Sequence, residues 1–401
     1  MNLRKKAPSP APTTGSHNMR SLQVTPVAWV LAGSVTVADA AGAALGYPQL
    51  LVVAAAGLLL LVSAIGFVVW RPRVRVGRTF HPKTVTAGEA AVALLEVTNE
   101  SRWPSAPLTV VDRLGPVDVP LPVRALAPGG SALVRYPLPT QRRGRIPLGP
   151  LRVVRSDPFG LLAAQQDHRA REVLWVHPRT WPMSVLPAGV VVDLEGPISE
   201  TALQGSLTFS SLREYVAGDD RRQIHWRSSA RLGTLMVRQH VDTNEPRATV
   251  VLDTRAGAWT DDSFEAGVEV AASVARALAM EGHPVLLHVV GEPAPSVRED
   301  GAHSVADRLA AAERLPASDP VALLSVLEQS VEGGSLVVVS GRLEASVEAR
   351  VGAQRRRFAP VTVCNIDPDR PAGCHRRGGI IVVLGPTAPA LVEAWNRMVR
   401  R

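Results

Sequence analysis

The segment Arg213–Arg231, REYVAGDDRRQIHWRSSAR, crowds reactive side chains into one short run: Arg213, Glu214, Tyr215, Asp219, Asp220, Arg221, His225, Trp226 and Arg231. Asp219 or Asp220 beside His225 is the pattern of a general base with its orienting partner, or of metal ligands. One His is too few for the usual zinc triad, and His240 would have to converge from another element. Ser228 and Ser229 do not stand in a GxSxG elbow. A metal-dependent hydrolase centred on Asp219, Asp220 and His225 is therefore one alternative and not the favoured reading. Two readings without catalysis use the same residues. Glu214 and Asp219 pairing with Arg213, Arg221 or Arg227 would fix a seam between domains, anchored by Trp226 and Tyr215. Alternatively the run is a docking surface, since Arg and Trp are common hot-spot residues. Binding of nucleic acid or a nucleotide through the arginines is a further alternative.

These side chains need a local scaffold. Gly218 permits a turn, and Asp219 or Asp220 can cap a helix that follows. Arg221 to Ala230 has helix-forming residues, with Ile224, Arg227 and Arg231 on one face and Arg222 and Trp226 on another. Gly233 ends that helix. Thr234 to Val241 then alternates as a strand, with Leu235, Val237 and Val241 on one side.

The chain has 401 residues, room for two or three domains, and 46% hydrophobic residues, enough for packed cores. The net charge is +8, carried almost wholly by Arg; the lysines are Lys5, Lys6 and Lys83. The basic residues are not interleaved with runs of aromatics, so no nucleic-acid partner is expected. No GxxxxGK[ST] occurs, which argues against a P-loop. Cys364 and Cys374 lack CxxC spacing, so they are read as structural, reduced thiols.

Residues 1–22 are rich in Pro, Ser, Thr and Gly and read as a disordered tail. Val27–Leu45 is apolar except for Asp39, and Leu50–Trp70 has no charge at all. About 20 apolar residues cross a bilayer as a helix, so 23–70 reads as a two-helix membrane hairpin. Ala and Gly in the first helix suggest close packing that shelters Asp39. A cleaved signal peptide is disfavoured because a second apolar segment follows at once. Arg4, Lys5, Lys6 and Arg20 precede the hairpin and Arg71, Arg73, Arg75 and Arg78 follow it, while the connection has no Lys or Arg. The positive-inside rule puts both flanks in the cytoplasm, at the inner membrane, with the basic clusters facing lipid headgroups.

Short alternating runs at Ala91–Asn99, Leu108–Leu114, Ala132–Leu138, Arg145–Ser156 and Val173–Pro178, punctuated by Pro and Gly, predict an antiparallel β-sandwich over 71–180. Arg142 to Arg145 reads as a solvated hairpin turn. Ser156 to Gly160 reads as a tight turn with Phe159 packed inward. From 247 the pattern changes to apolar strands at Ala248–Thr254, Pro284–Val290, Ser335–Ser340, Pro360–Ile366 and Gly379–Leu384. They alternate with helical patterns at Asp262–Gly282, His303–Arg314, Asp319–Val331 and Ala388–Arg400. This predicts a doubly wound parallel sheet over 247–401, whose ligands would bind at the strands' carboxyl ends. Residues 181–246 form the junction region.

LREYVAGDDRRQIHWRSSARLGTLMVR followed by a VVLDT strand resembles the signature of the domain-of-unknown-function-58 family. RGRIPLGPLRVVRSDPFGLL (Arg143–Leu162) and the hairpin match that family's layout. The resemblance implies a C-terminal α/β domain similar to von Willebrand factor type A, Rossmann-like in its winding. It also implies an accessory or adaptor role alongside a MoxR-type AAA+ ATPase and a membrane-bound transglutaminase-like protein, not an enzyme. Type A domains commonly hold a divalent cation on an Asp-x-Ser-x-Ser loop. Here the Asp is Asp253, but Arg255 and Gly257 replace the serines, and Ser340-Gly341-Arg342 stands where a TDG-like turn is usual. No bound metal or cofactor is expected.

Overall fold

The computed structural model describes residues 20–69, 73–168, 171–184, 207–215, 224–242, 247–293, 302–316, 320–330 and 333–400. The chain divides into two compact units, Met1–Val176 and His177–Arg401.

The first unit opens with strand β1 (Arg20–Val24), followed by helices α1 (Pro26–Leu45) and α2 (Pro48–Val69). Residues 20–22 thus lie in a strand and not in a disordered tail. Thr25 caps α1, accepting from the Ala28 amide at 3.3 Å, and Gly46 ends it in the left-handed conformation. Both helices are long and apolar enough to cross a membrane. Their contact uses small residues: a Cβ on Gly57 would lie 2.4 Å from Val35 Cγ2. The contact stripe of α1 runs through Ala28, Leu31, Val35, Ala38 and Gly42. Asp39 falls one residue off it and is exposed, so α2 does not shelter it.

Next come β2 (Val74–Phe80), β3 (Thr84–Thr86), β4 (Val92–Asn99), β5 (Leu108–Leu114), β6 (Val117–Val123), β7 (Ser131–Pro137), β8 (Gly144–Ser156), β9 (Leu162–His168) and β10 (Glu172–His177). Strands β2-β4-β7 form one antiparallel sheet. A larger sheet runs β1-β9-β8-β10-β3, with β5 on β8 and β6 on β5. Alternate residues of both sheets meet in one core, among them Leu95, Val97, Val110, Leu148, Leu151 and Leu174. Arg78 from β2 crosses this core to Asp112 on β5, Nη1 to Oδ1 at 2.7 Å, and both side chains are fully buried. Arg78 therefore does not belong to a lipid-facing basic cluster. Residues 138–143 connect β7 in one sheet to β8 in the other, and 144 and 145 already belong to β8, so Arg142 to Arg145 form the end of a crossover and not a hairpin turn. In the turn after β8, Asp157 accepts from the Phe159 amide at 2.7 Å and from the Leu162 amide. Phe159 does not pack inward: it is 53% exposed.

The second unit contains β11 (Leu207–Glu214), α3 (Trp226–Leu232) and β12 (Met236–Asp242), with β11 and β12 antiparallel. Then follow β13 (Ala248–Leu252), α4 (Asp261–Met280), β14 (Val285–Val289), α5 (Ala302–Ala311), α6 (Pro320–Gln329), β15 (Ser335–Ser340), α7 (Ala345–Ala353), β16 (Val361–Ile366), β17 (Gly373–Arg377), β18 (Ile380–Gly385) and α8 (Ala388–Val399). The sheet order is β14-β13-β15-β16-β18-β17, parallel except for the edge strand β17. Phe264, Val268, Leu309, Leu391 and Trp395 bring α4, α5 and α8 onto one face. Leu323, Leu327, Val347 and Val351 bring α6 and α7 onto the other. That is double winding, as expected, with α7 and β17 added. Segment 177–184 lies on this unit: the Trp181 indole donates to Glu269 at 2.9 Å, and Asn396 Nδ2 donates to the Pro182 carbonyl at 2.8 Å.

Candidate functional site

Sheet order reverses between β13 and β15, whose carboxyl ends define the crevice where doubly wound folds take ligands. Asp253 follows β13 there and is fully buried. Its Oδ1 accepts from the Arg255 amide at 3.1 Å and from Arg255 Nε at 2.9 Å. Its Oδ2 accepts from Arg255 Nη2 and from the Ser340 hydroxyl, both at 2.7 Å. Four donors take up the lone pairs of this carboxylate. The Trp259 indole donates to the Asp253 carbonyl at 2.8 Å. Gly341 lets the β15 end approach: a Cβ there would lie 1.9 Å from the Ala258 carbonyl oxygen. The guanidinium thus supplies positive charge to Asp253 from inside the chain, with the bidentate geometry that Arg favours.

One strand further along, Arg342 pairs with Asp367 at 3.3 Å and with Asp369, and Arg370 reaches Asp367 at 3.5 Å. The two acids follow β16. Their signal in the sequence is an acid just past the carboxyl end of an apolar strand, the same signal that marks Asp253.

The signature run is only partly within the described residues. Gly218, Asp219, Asp220 and Arg221 lie outside them, as does the side chain of Arg213. Glu214 and Arg231 are exposed and Tyr215 is half-buried. His225, not an Asp, caps α3: its Nδ1 accepts from the Ser228 amide at 3.2 Å and lies 2.8 Å from the Ser228 hydroxyl. The helix therefore starts at Trp226, and Ile224 precedes it, bridging Val237 on β12. Ser229 joins helix to strand by accepting from the Met236 amide at 2.8 Å. Gly233 ends α3 in the left-handed conformation, as its position predicts. Trp226 is 66% exposed and is no buried anchor. Arg227, Leu232 and Leu235 are exposed with it.

Burial pushes the Cys364 thiol up to about 12, and Cys374 is raised as well, so neither thiol ionises readily near neutral pH. Both are free. Among the described residues, no three His, Cys, Asp or Glu side chains gather as a metal-binding group.

Residues 211–371 match the family described as "Protein of unknown function DUF58", the family whose signature the Arg213–Arg231 run resembles. No curated protein matches the chain. Solved structures similar to parts of it include the CARDB domain of a Pyrococcus furiosus protein, at 12% identity and a TM-score of 0.20, covering 26% of this chain and 88% of that one. A domain of a putative cell surface protein from Methanosarcina acetivorans shows 14% identity and a TM-score of 0.19, covering 27% and 93%. The C-terminal domain of wzt shows 13% identity and a TM-score of 0.21, covering 32% and 86%.

Proposed function

We propose that this protein is a membrane-anchored accessory protein that docks partners and does not turn over a substrate. The observation that carries this reading is the exposure of α3: Trp226 at 66% and Leu232 at 60% stand bare beside exposed Arg227 and Arg231. Trp and Arg are the side chains that dominate interface energies, and a solvated Trp gives up much of its burial energy until a partner covers it. The crevice at Asp253 supports the same reading, because the chain's own Arg255 fills the carboxylate's valences. The partner class implied by the family resemblance is a MoxR-type AAA+ ATPase, acting with a membrane-bound transglutaminase-like protein in assembly of a membrane complex.

The first unit's two sheets around one core are consistent with a β-sandwich. The second unit's wound sheet, with Asp253 at its switch point, is consistent with a degenerate type A-like domain. α1 and α2 leave Val30 at 69% and Leu59 at 70% exposed, whereas a core helix of a soluble protein would bury such residues. A bilayer is the solvent that suits them. Strand β1 pairs with β9, which supports the entry to α1 and the domain after α2 lying on one side of that bilayer. The basic flanks favour the cytoplasmic side.

The test is site-specific photocrosslinking from position 226 in cells, followed by identification of the adduct. A MoxR-type ATPase crosslinked from 226, and lost in Trp226→Ala probed from position 227, is the expected result. Tightly held stoichiometric metal that His225→Ala removes would overturn it in favour of hydrolysis. A reporter fused after Arg401 and active only in the periplasm would overturn the orientation.

A further inference from the structure

The end of the strand-rich unit next to α1 and α2 carries an exposed aromatic on each of two loops. Phe159 is 53% exposed and Trp103 is 62% exposed. The turn bearing Phe159 is bound directly to the start of α1. The Thr25 hydroxyl donates to the Gly160 carbonyl at 2.9 Å, and the Thr25 amide donates to the Leu161 carbonyl at 3.0 Å. Leu161 and Leu162 pack with Ala28 of α1 and with Ala64 and Val68 of α2. Ala64 lies five residues before the end of α2 at Val69, about 7.5 Å along the axis at 1.5 Å per residue. The turn therefore sits level with the last turn and a half of an apolar helix, not above its end.

Trp103 is held at the same end. The Glu100 amide donates to the Arg73 carbonyl at 2.7 Å, four residues past α2. Asn99, the last residue of β4, donates through Nδ2 to the carbonyls of Trp103 at 2.9 Å and of Leu126 and Ala127 at 3.2 Å. This ties the loop after β4 to the loop after β6. Arg73, Arg102 and Arg124 are exposed around these loops; the acid among them, Glu100, is paired with Arg75. Aromatics with a ring of arginines, at the depth where two apolar helices end, are the chemistry of a membrane–water interface.

We propose that this end of the strand-rich unit rests on the bilayer, with Phe159 and Trp103 set into the headgroup–acyl boundary and Arg73, Arg102 and Arg124 against anionic headgroups. The proposal depends on the reading that α1 and α2 span that bilayer. The domain is then seated by its loops as well as tethered by its helices, which restricts how it can tilt.

The test places a nitroxide label at single cysteines in the full chain, reconstituted in phosphatidylcholine–phosphatidylglycerol nanodiscs. Cys374→Ala supplies the background, since Cys364 is buried and its thiol stays protonated. Labels go on Phe159→Cys, Trp103→Cys, Leu58→Cys on α2, and Gln141→Cys on an exposed loop at the other end of the unit. Collision with lipid-soluble oxygen is compared with collision with a water-soluble nickel chelate. The expected result is oxygen preference at 58, 103 and 159, with 103 and 159 about 5–10 Å deep, and nickel preference at 141. Nickel preference at 103 or 159 with oxygen preference at 58 overturns the seated domain and leaves the membrane spans standing. Nickel preference at 58 overturns the spans themselves, and this proposal with them.

Discussion

Arg255 closes on Asp253 through two parallel bonds, Nε to Oδ1 at 2.9 Å and Nη2 to Oδ2 at 2.7 Å, inside the crevice where the sheet order reverses. Two residues apart in the chain, they form an ion pair whose carboxylate is fully buried. Removing one partner strands the other. Arg255→Ala is expected to cost about 3–5 kcal/mol, and Arg255→Leu combined with Asp253→Leu to cost clearly less. Thermal unfolding of the detergent-solubilised protein measures both. Equal destabilisation by the single and double variants would refute the pairing argument.

Arg78, Asp112 and Tyr136 form a second buried network, joining the two sheets of the first unit. The Tyr136 hydroxyl donates to Asp112, and burial followed by that bond pushes its pKa well above the ordinary value of 10.0. The folded state therefore holds the phenol proton more tightly than the unfolded state does. The stabilisation is complete below pH 10 and is lost as pH rises beyond it. Tyr136→Phe is expected to lower stability by about 1–3 kcal/mol at neutral pH, since Asp112 loses a donor. It should also flatten the alkaline fall, which denaturant titrations carried past pH 10.0 would show as a smaller loss of stability with rising pH.

His288 on β14 has its pKa lowered, first by burial and then by Arg308. The unfolded chain takes up a proton near its ordinary value of 6.5 while the folded chain resists. Stability present above that pH is lost as pH falls through and below it. His288→Gln is expected to remove part of the acid-side loss in melting temperature. An unchanged acid limb would show that other groups set it.

His225 acts as a cap. His225→Ala should cost α3 about 1 kcal/mol and speed hydrogen exchange at the Ser228 amide, whereas His225→Asn should restore protection. Asn supplies a cap acceptor in place of the imidazole nitrogen, so failure of Asn to restore protection would refute the cap role.

Much of the architecture is legible in one dimension because its signals are local. Leu50–Trp70 has no charge over a span-length run, and Ala248–Leu252 and Ser335–Ser340 are continuous apolar runs, as strands buried on both faces must be. Strands that lack that signal escape. β6, VDVPLPV, contains two prolines that only an edge strand tolerates. β9, LAAQQDH, is too polar to alternate, and β17, GCHRR, is a short exposed edge. Hydrophobic type alone misplaced Phe159 and did not choose between an anchoring and a docking Trp226, because burial depends on what comes to cover a side chain.

By itself the sequence determined the order of the parts, the two apolar helices, the winding of the C-terminal sheet and the substitution of Arg255 and Gly257 around Asp253, all carried by neighbours within a few residues. Only the tertiary structure decided that Arg255 fills the Asp253 carboxylate jointly with Ser340, 87 positions away in the chain. It likewise decided that Arg78 turns inward to Asp112 and that Phe159 turns outward beside α1. These outcomes depend on which distant backbones approach, and no residue spacing encodes that distance.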